Sequence, residues 1–262
     1  MTGPSPQPPS VRADPLRDRV ALVAGATGPV GRAVAAALAA RGTRVAVHYR
    51  GRRAEAERVA AALPGRHLAV GADLTDPAAL EAAVSAAEER LGPVGVLVNA
   101  AHPALSVPAP VAETDPAVLA GHLAAVGVHA ALCTRLVPGM RARGWGRVVY
   151  VSGALMARPA TGFGAYGAAK AAATVLTRYL AWEEGRAGIT ANVVAPGRVV
   201  DPADDTPLTG ALAGLSDALR QRMALPDFPT PAQVADAVTG LLDAEAITGQ
   251  TVWVTGGEPV AA

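Results

Sequence analysis

Val20-Ala21-Leu22-Val23-Ala24 is apolar without interruption and runs straight into Gly25-Ala26-Thr27-Gly28-Pro29-Val30-Gly31. A short apolar run closed by glycine is the pattern of a parallel strand buried on both faces. An Ala-rich helical stretch, Arg32 to Arg41, follows and stops at Gly42. Strand, glycine turn and helix N-terminus make an anion site, because the free N–H groups and the helix dipole face one point. Pro29 suits the first helical position, where its missing N–H has no intrahelical partner to lose. Taken alone the glycines also fit a plain tight turn; their place in the first strand–helix connection favours phosphate binding.

The alternation continues down the chain. Strands are expected at Val45 to Tyr49, Leu68 to Gly71, Val96 to Val98, Arg147 to Val151, Thr190 to Ala195 and Thr251 to Val254. Helices are expected at Arg53 to Leu63, Pro77 to Leu91 with Asp76 as N-cap, Asp115 to Arg143 with a bend near Pro138, and Ala165 to Gly185. A weak helix at Ser216 to Met223 and another at Pro231 to Leu242 complete the set. Such alternation implies an α/β protein: a Rossmann-type doubly wound parallel sheet in a single domain. Residues 1–18, rich in Pro and small polar side chains, are expected to be a disordered tail on a 19–262 domain. Residues 199–229, punctuated by Pro and Asp, are expected to cover a substrate.

Composition excludes several functions. Formal charge is +1 with acids and bases interspersed, so no basic stripe points to nucleic acid or an anionic membrane. The single cysteine, Cys133, lies in an apolar helical stretch and is expected to pack in the core. No Cys/His spacing predicts a metal site. Neither a signal peptide nor an apolar run of membrane-spanning length is expected, so the chain reads as a cytoplasmic protein.

Tyr166 and Lys170 sit four apart in a helical stretch and leave the same face. A tyrosine with an ordinary pKa of about 10 is a poor acid or base near neutrality. A cation one turn away favours the phenolate and lowers that value, making a proton donor or acceptor. The spacing by itself equally fits an aromatic packing edge and a solvated lysine. Composition changes the balance: in an arginine-rich chain Lys170 is the only lysine. Arg has a wide, flat head that is always charged, whereas Lys offers a compact ammonium.

Two further positions bear on a dinucleotide. Where the second strand ends, a site preferring NAD carries an acid; here stand Arg50, Arg52 and Arg53. Guanidinium groups match a 2′-phosphate, which favours NADPH/NADP over NAD, although a charged turn has the same look. Asn99 stands at the carboxyl end of the fourth strand, where ligands of open α/β sheets collect.

These features run in order. The glycine turn at 25–31, Asp73-Leu74, Asn99-Ala100-Ala101, Tyr166 with Lys170, Asn192 with Pro196-Gly197, and Ile247-Thr248-Gly249-Gln250 resemble the short-chain dehydrogenase/reductase family over nearly all of residues 18 to 257. The resemblance implies that Gly25, Thr27, Gly28, Val30 and Gly31 surround the pyrophosphate and ribose. It implies Arg50 at the 2′-phosphate, Asp73 and Leu74 at the adenine, and Asn99 and Ala100 beside the cofactor. Pro196, Gly197 and Val199 would run along the nicotinamide. Lys170 would bind its ribose and lower the Tyr166 pKa, while Tyr166 protonates a carbonyl oxygen. A homodimer or homotetramer paired through the long helices is also implied. The GC-rich codon usage behind an Ala- and Arg-rich chain suggests specialised metabolism.

The chain departs from the family where the reacting groups stand. The serine expected thirteen residues before the tyrosine is Gly153. Ser152 is adjacent, but neighbouring strand residues face opposite ways, so it substitutes only if the chain is kinked there. The asparagine expected near Val126 is absent, since Ala125, Val126 and Gly127 all lack its amide. The glycine expected after Asn99 is His102, an imidazole able to donate to a carbonyl or a rim residue meeting solvent. His122 and His129 are expected to pack on or beside the long helix. Arg158 would meet an acidic substrate or solvate a loop. Functions left open are an NADPH-dependent reductase of a small carbonyl compound, a non-redox enzyme catalysing cyclisation, dehydration or isomerisation, and an inactive nicotinamide-binding protein.

Overall fold

The computed structural model describes residues 14–103, 109–202 and 214–260. Residues 1–13 of the expected tail and part of the expected substrate-covering stretch 199–229 lie outside them. Seven parallel strands form one sheet in the order β3-β2-β1-β4-β5-β6-β7. They are β1 (Val20–Ala24), β2 (Arg44–Tyr49), β3 (Leu68–Gly71), β4 (Val94–Asn99), β5 (Gly146–Val151), β6 (Ile189–Pro196) and β7 (Thr251–Val254). The helices are α1 (Pro29–Ala40), α2 (Arg53–Ala62), α3 (Pro77–Leu91), α4 (Pro116–Ala142), α5 (Gly164–Glu184), α6 (Leu215–Arg220) and α7 (Pro231–Asp243).

Strand side chains alternate between two buried layers, as a parallel sheet covered on both faces requires. Ala21, Val23, Val45, Val47, Val96 and Val98 pack with α1, α2 and α7. Val20, Leu22, Ala24, Val94, Leu97 and Val148 pack with α3, α4 and α5. The chain reverses direction of winding between β1 and β4, and the carboxyl ends of these neighbours flank a crevice.

Local signals explain the element ends. Asp76 caps α3 by accepting from the N–H groups of Ala78 and Ala79. Thr230 and Gln233 close a reciprocal capping box at the start of α7. Helix α1 starts at Pro29 rather than Arg32, because proline's fixed φ is already helical and the Arg32 N–H reaches back to the Gly28 carbonyl at 2.9 Å. Helix α4 runs through Pro138 as one helix.

Two expectations are corrected. Residues 14–18 are not a tail: Leu16 is fully buried, its carbonyl accepts from Thr43 Oγ1, and Asp14 pairs with Arg41. One apolar leucine in a polar stretch is enough to dock it. Helix α4, at 27 residues, is long and apolar enough to cross a membrane by length and composition. Alanine supplies much of that apolarity, and Leu132, Leu136, Val137 and Met140 place the helix against the sheet.

Candidate active site

The glycine turn after β1 is a cradle built from backbone. Gly25 has φ +76°, and a Cβ there would lie 2.8 Å from the Ala100 carbonyl oxygen. A Cβ on Gly31 would lie 2.4 Å from the Gly25 carbonyl oxygen, so α1 approaches the turn as closely as it does only because that side chain is missing. Gly28, the N-cap of α1, brings no side chain to the helix's free N–H groups, and no acid occupies its first turn. Those donors are left for an anion. Thr27 is buried, and Val30 packs partly into the first core layer.

A residue the sequence did not single out holds this cradle. His48, on β2 and 4% exposed, accepts from the Gly25 N–H through Nδ1 at 3.3 Å and donates from Nε2 to the Ala72 carbonyl at 3.1 Å. The acceptor-only carbonyl fixes the tautomer. Burial, first, keeps the imidazole below its ordinary pKa and neutral. His48 thereby ties the ends of β1, β2 and β3 together. Beyond it, Asp73 is exposed and accepts from Thr75, while Leu74 is buried. The hydrogen bonds from Thr75 hold the Asp73 carboxyl below the usual range, and Arg50 adds to that pull. Arg50 is exposed at the end of β2. Arg53, by contrast, is engaged with Glu57.

Asn99 is 1% exposed and accepts from the Ala101 N–H at 3.1 Å while its amide reaches His129 Nδ1 at 3.3 Å. His129 Nε2 in turn reaches Thr177 Oγ1 at 3.0 Å. This chain joins β4, α4 and α5, and burial pushes His129 down to about 4, so it is a neutral strut rather than a loose packing residue. On the other flank Gly197 follows β6, its N–H donating to Val254, and Val199 packs against the first core layer. Arg32 of α1 lies 3.6 Å from Asp201, linking the cradle helix to the segment after Pro196.

Tyr166 lies at the same sheet edge. A Cβ on Gly153 would be 2.8 Å from Tyr166 Oη, so the phenol borders the place where a serine side chain would begin. Ser152 does not substitute for it: the backbone stays extended, with Gly153 at φ −175° and ψ 148°. Ser152 Oγ instead contacts Thr174 Oγ1 at 3.0 Å and the Lys170 carbonyl at 3.4 Å. Val126 lies in a small apolar cluster with Tyr150, Ala173 and Val193. Arg158 does not await an acidic substrate, since its guanidinium is buried 2.8 Å from the Glu258 carboxylate. That partner is far away in sequence, and no local pattern announces it.

Lys170 shares a helix face with Tyr166 as expected, but its effect on the phenol differs from expectation. It is 4% exposed, and its Nζ donates to the Val151 carbonyl at 2.8 Å. Nζ stands 5.6 Å from the centre of the Tyr166 ring and 5.0 Å from that of Tyr150. Burial pushes Lys170 down to about 7 and Tyr166 up to about 12, so the cation does not lower the phenol's pKa here. Both charged forms lose water, and desolvation outweighs attraction across the ring face. Two imidazoles meet Tyr166 edge-on, His102 with ring centres 6.1 Å apart and His122 at 6.0 Å. His122 is therefore a neighbour of the site, not merely a packing residue of α4. A cavity of about 570 Å³ also opens along Leu155, Met156, Pro159, Phe163 and Ala168, but neither Tyr166 nor Lys170 lines it.

A glycine cradle at the switch point, with a phenol on the same edge, is an arrangement in which open α/β sheets hold ligands. Comparison with known proteins narrows it. The family model described as enoyl-(acyl carrier protein) reductase matches residues 25–258. The chain is 34% identical over 254 residues to the 3-oxoacyl-[acyl-carrier-protein] reductase MabA of Mycobacterium tuberculosis, covering 93% of this chain and 94% of that one. It is 31% identical over 262 residues to the NADPH-dependent aldehyde reductase 2 of Arabidopsis thaliana, covering 92% and 94%. A solved short-chain dehydrogenase/reductase from Serratia marcescens superposes with a TM-score of 0.83 at 30% identity, covering 93% of this chain and 99% of that one. The chain belongs to the short-chain dehydrogenase/reductase family, and so among the oxidoreductases.

Proposed function

We propose that this protein reduces the carbonyl group of a small molecule with NADPH, Tyr166 acting as the acid. One observation carries the reading: a half-buried phenol, held protonated by desolvation, stands at the sheet edge near the glycine cradle. The residues present fit the cofactor, because Gly25 and Gly31 leave room no side chain would, and the start of α1 offers uncapped N–H groups. Gly25, Thr27, Gly28, Val30 and Gly31 would hold the pyrophosphate and ribose. Arg50 would meet the 2′-phosphate, and Asp73 and Leu74 the adenine. Asn99, Ala100, Pro196, Gly197 and Val199 would border the nicotinamide, which when bound supplies hydride. Lys170 would hold the nicotinamide ribose. Tyr166 then gives its hydroxyl proton to the carbonyl oxygen, which fits a donor whose charged form is costly in this pocket.

A second reading rests on Gly153. With no hydroxyl there to polarise a carbonyl, Tyr166 would serve as acid or base in a cyclisation, dehydration or isomerisation. Purified protein given NADPH and a panel of aldehydes and ketones decides between them. Loss of the reduced-nicotinamide absorbance, abolished in Tyr166→Phe, supports the reductase. Product formed equally well without any nicotinamide supports the second reading.

We also infer self-association through α4 and α5. Leu119, Leu123, Val175, Leu176, Tyr179 and Trp182 are exposed on these helices, Trp182 by 89%. A second copy of the same face would cover them. Sedimentation of the purified protein tests it; a monomer at micromolar concentration would sink the idea.

A further inference from the structure

We propose that His129 is a positioning residue of this site: through Asn99 it fixes the Ala100–Ala101 peptide that backs the glycine cradle. The inference rests on the dinucleotide reading above and adds to it a residue that acts without touching the cofactor.

The peptide matters because of where it lies. The Ala100 N–H donates to the Ala24 carbonyl at 3.0 Å, which carries the end of β4 onto the end of β1. A Cβ on Gly25 would meet the Ala100 oxygen and the Ala101 nitrogen, each at 2.8 Å. This peptide is therefore the wall against which the cradle turns, and moving it moves Gly25. Asn99 holds the wall in place. Its Oδ1 accepts from the Ala101 N–H at 3.1 Å, an Asx turn at the end of β4.

What holds Asn99 emerges when the hydrogens are followed from both ends. A backbone N–H can only donate, so the amide oxygen of Asn99 faces Ala101 and its NH2 faces His129 Nδ1 at 3.3 Å. Nδ1 must then be bare. At the far end Thr177 Oγ1 donates its single hydrogen to the Ala173 carbonyl at 2.8 Å, and so accepts from His129 Nε2 at 3.0 Å. Nε2 must then carry the hydrogen. The two ends demand the same tautomer, and every member of the chain has its partner. The opposite tautomer would turn the Asn99 amide over and set its NH2 against the Ala101 N–H. An imidazolium, a donor at both nitrogens, would do the same.

The surroundings keep the ring in that state. His129 is 1% exposed, and the Tyr150 ring packs on it with centres 4.7 Å apart. Burial first, then the Lys170 charge, pushes His129 down to about 4, so the imidazole stays neutral near pH 7. The chain crosses from β4 through α4 to α5, so the helix that carries Tyr166 is braced against the strand end that backs the cradle. An aliphatic side chain at position 129 breaks both bonds. A glutamine, whose amide accepts at one atom and donates at the other, can keep both.

The test titrates wild type, His129→Leu and His129→Gln with NADPH and with NADH, each protein checked for folding by circular dichroism. His129→Leu leaves the buried Asn99 amide without its acceptor, and dinucleotide affinity should fall about tenfold. The Ala101 amide should exchange its hydrogen with solvent faster than in wild type. His129→Gln should recover most of the affinity and slow that exchange again. A folded leucine variant that binds as tightly as wild type overturns the proposal. So does a loss that glutamine fails to repair, which is the mark of packing alone. A second readout keeps the test open should the leucine variant not fold. In the cofactor-free wild type, nitrogen NMR of the His129 ring should find the hydrogen on Nε2 and Nδ1 bare. A hydrogen on Nδ1 overturns the chain, whatever the protein binds. Wild type that folds yet takes up neither dinucleotide would instead sink the reading of the cradle itself.

Discussion

The two halves of the sheet hold their sites by different means. From β1 to β3 the cradle is made of backbone: positive φ at Gly25, the close approach at Gly31, and His48 joining three strand ends. Around β4, β5 and α5 the site is made of side chains: Asn99, Tyr166 and Lys170, with Gly153 against the phenol and His102 and His122 edge-on to it. Backbone geometry tolerates almost no exchange of residues. Side-chain chemistry can be supplied from another element that reaches the same point.

The contrast is open to attack at several positions. The largest effect belongs to Gly31→Ala, whose methyl must displace the Gly25 carbonyl. We expect about 3 kcal/mol of lost stability by denaturant titration, together with weakened dinucleotide binding. If Gly31→Ala were as stable as wild type, the cradle would be far softer than described.

Next comes Lys170. Its folded pKa is about 7, against an ordinary value of about 10.4 in the unfolded chain. Between these values the unfolded chain binds more protons, so stability of the cofactor-free protein rises with pH. The gain should be about 2 kcal/mol between about pH 7 and about pH 9, and absent in Lys170→Met. Tyr166 works oppositely, but only above about pH 10, where its own ordinary value lies. A flat profile for wild type would mean that the ammonium keeps its charge when buried.

Smaller still is the cofactor preference. Arg50→Ala should weaken NADPH binding about tenfold and leave NADH binding unchanged, because an exposed guanidinium serves only the extra phosphate. Equal losses for both dinucleotides would move the phosphate contact elsewhere. The least effect is expected at Gly153→Ala, at about 1 kcal/mol. Its methyl meets the end of the Tyr166 side chain at 2.8 Å rather than backbone, and a phenol can swing. A loss as great as at Gly31 would erase the distinction between the halves.

What the sequence disclosed follows the same division. The alternating apolar runs, the Asp76 cap and the glycine turn are local, and local chemistry forces them. Asn99 and Tyr166 also stand where motif spacing places them, each at the carboxyl edge of the sheet. The charge state of Lys170 was not legible, because desolvation depends on what packs around the ammonium from β5 and α5. His48, His122 and His129 look alike as isolated histidines. Only the fold sorts them into a clamp, a neighbour of Tyr166 and a strut. Leu16 and Arg158 were misjudged for a related reason, since their partners lie far along the chain.

The Arg158–Glu258 pair carries a practical consequence. Glu258 is 4% exposed, with Arg158 against it and Arg222 at 3.9 Å. The stretch after β7 is thus a rivet through the loop that leads into the Tyr166 helix. Trimming the chain ahead of Glu258 would leave a cation stranded in the interior, so a shortened version would be expected to lose the setting of its acid before it loses its sheet.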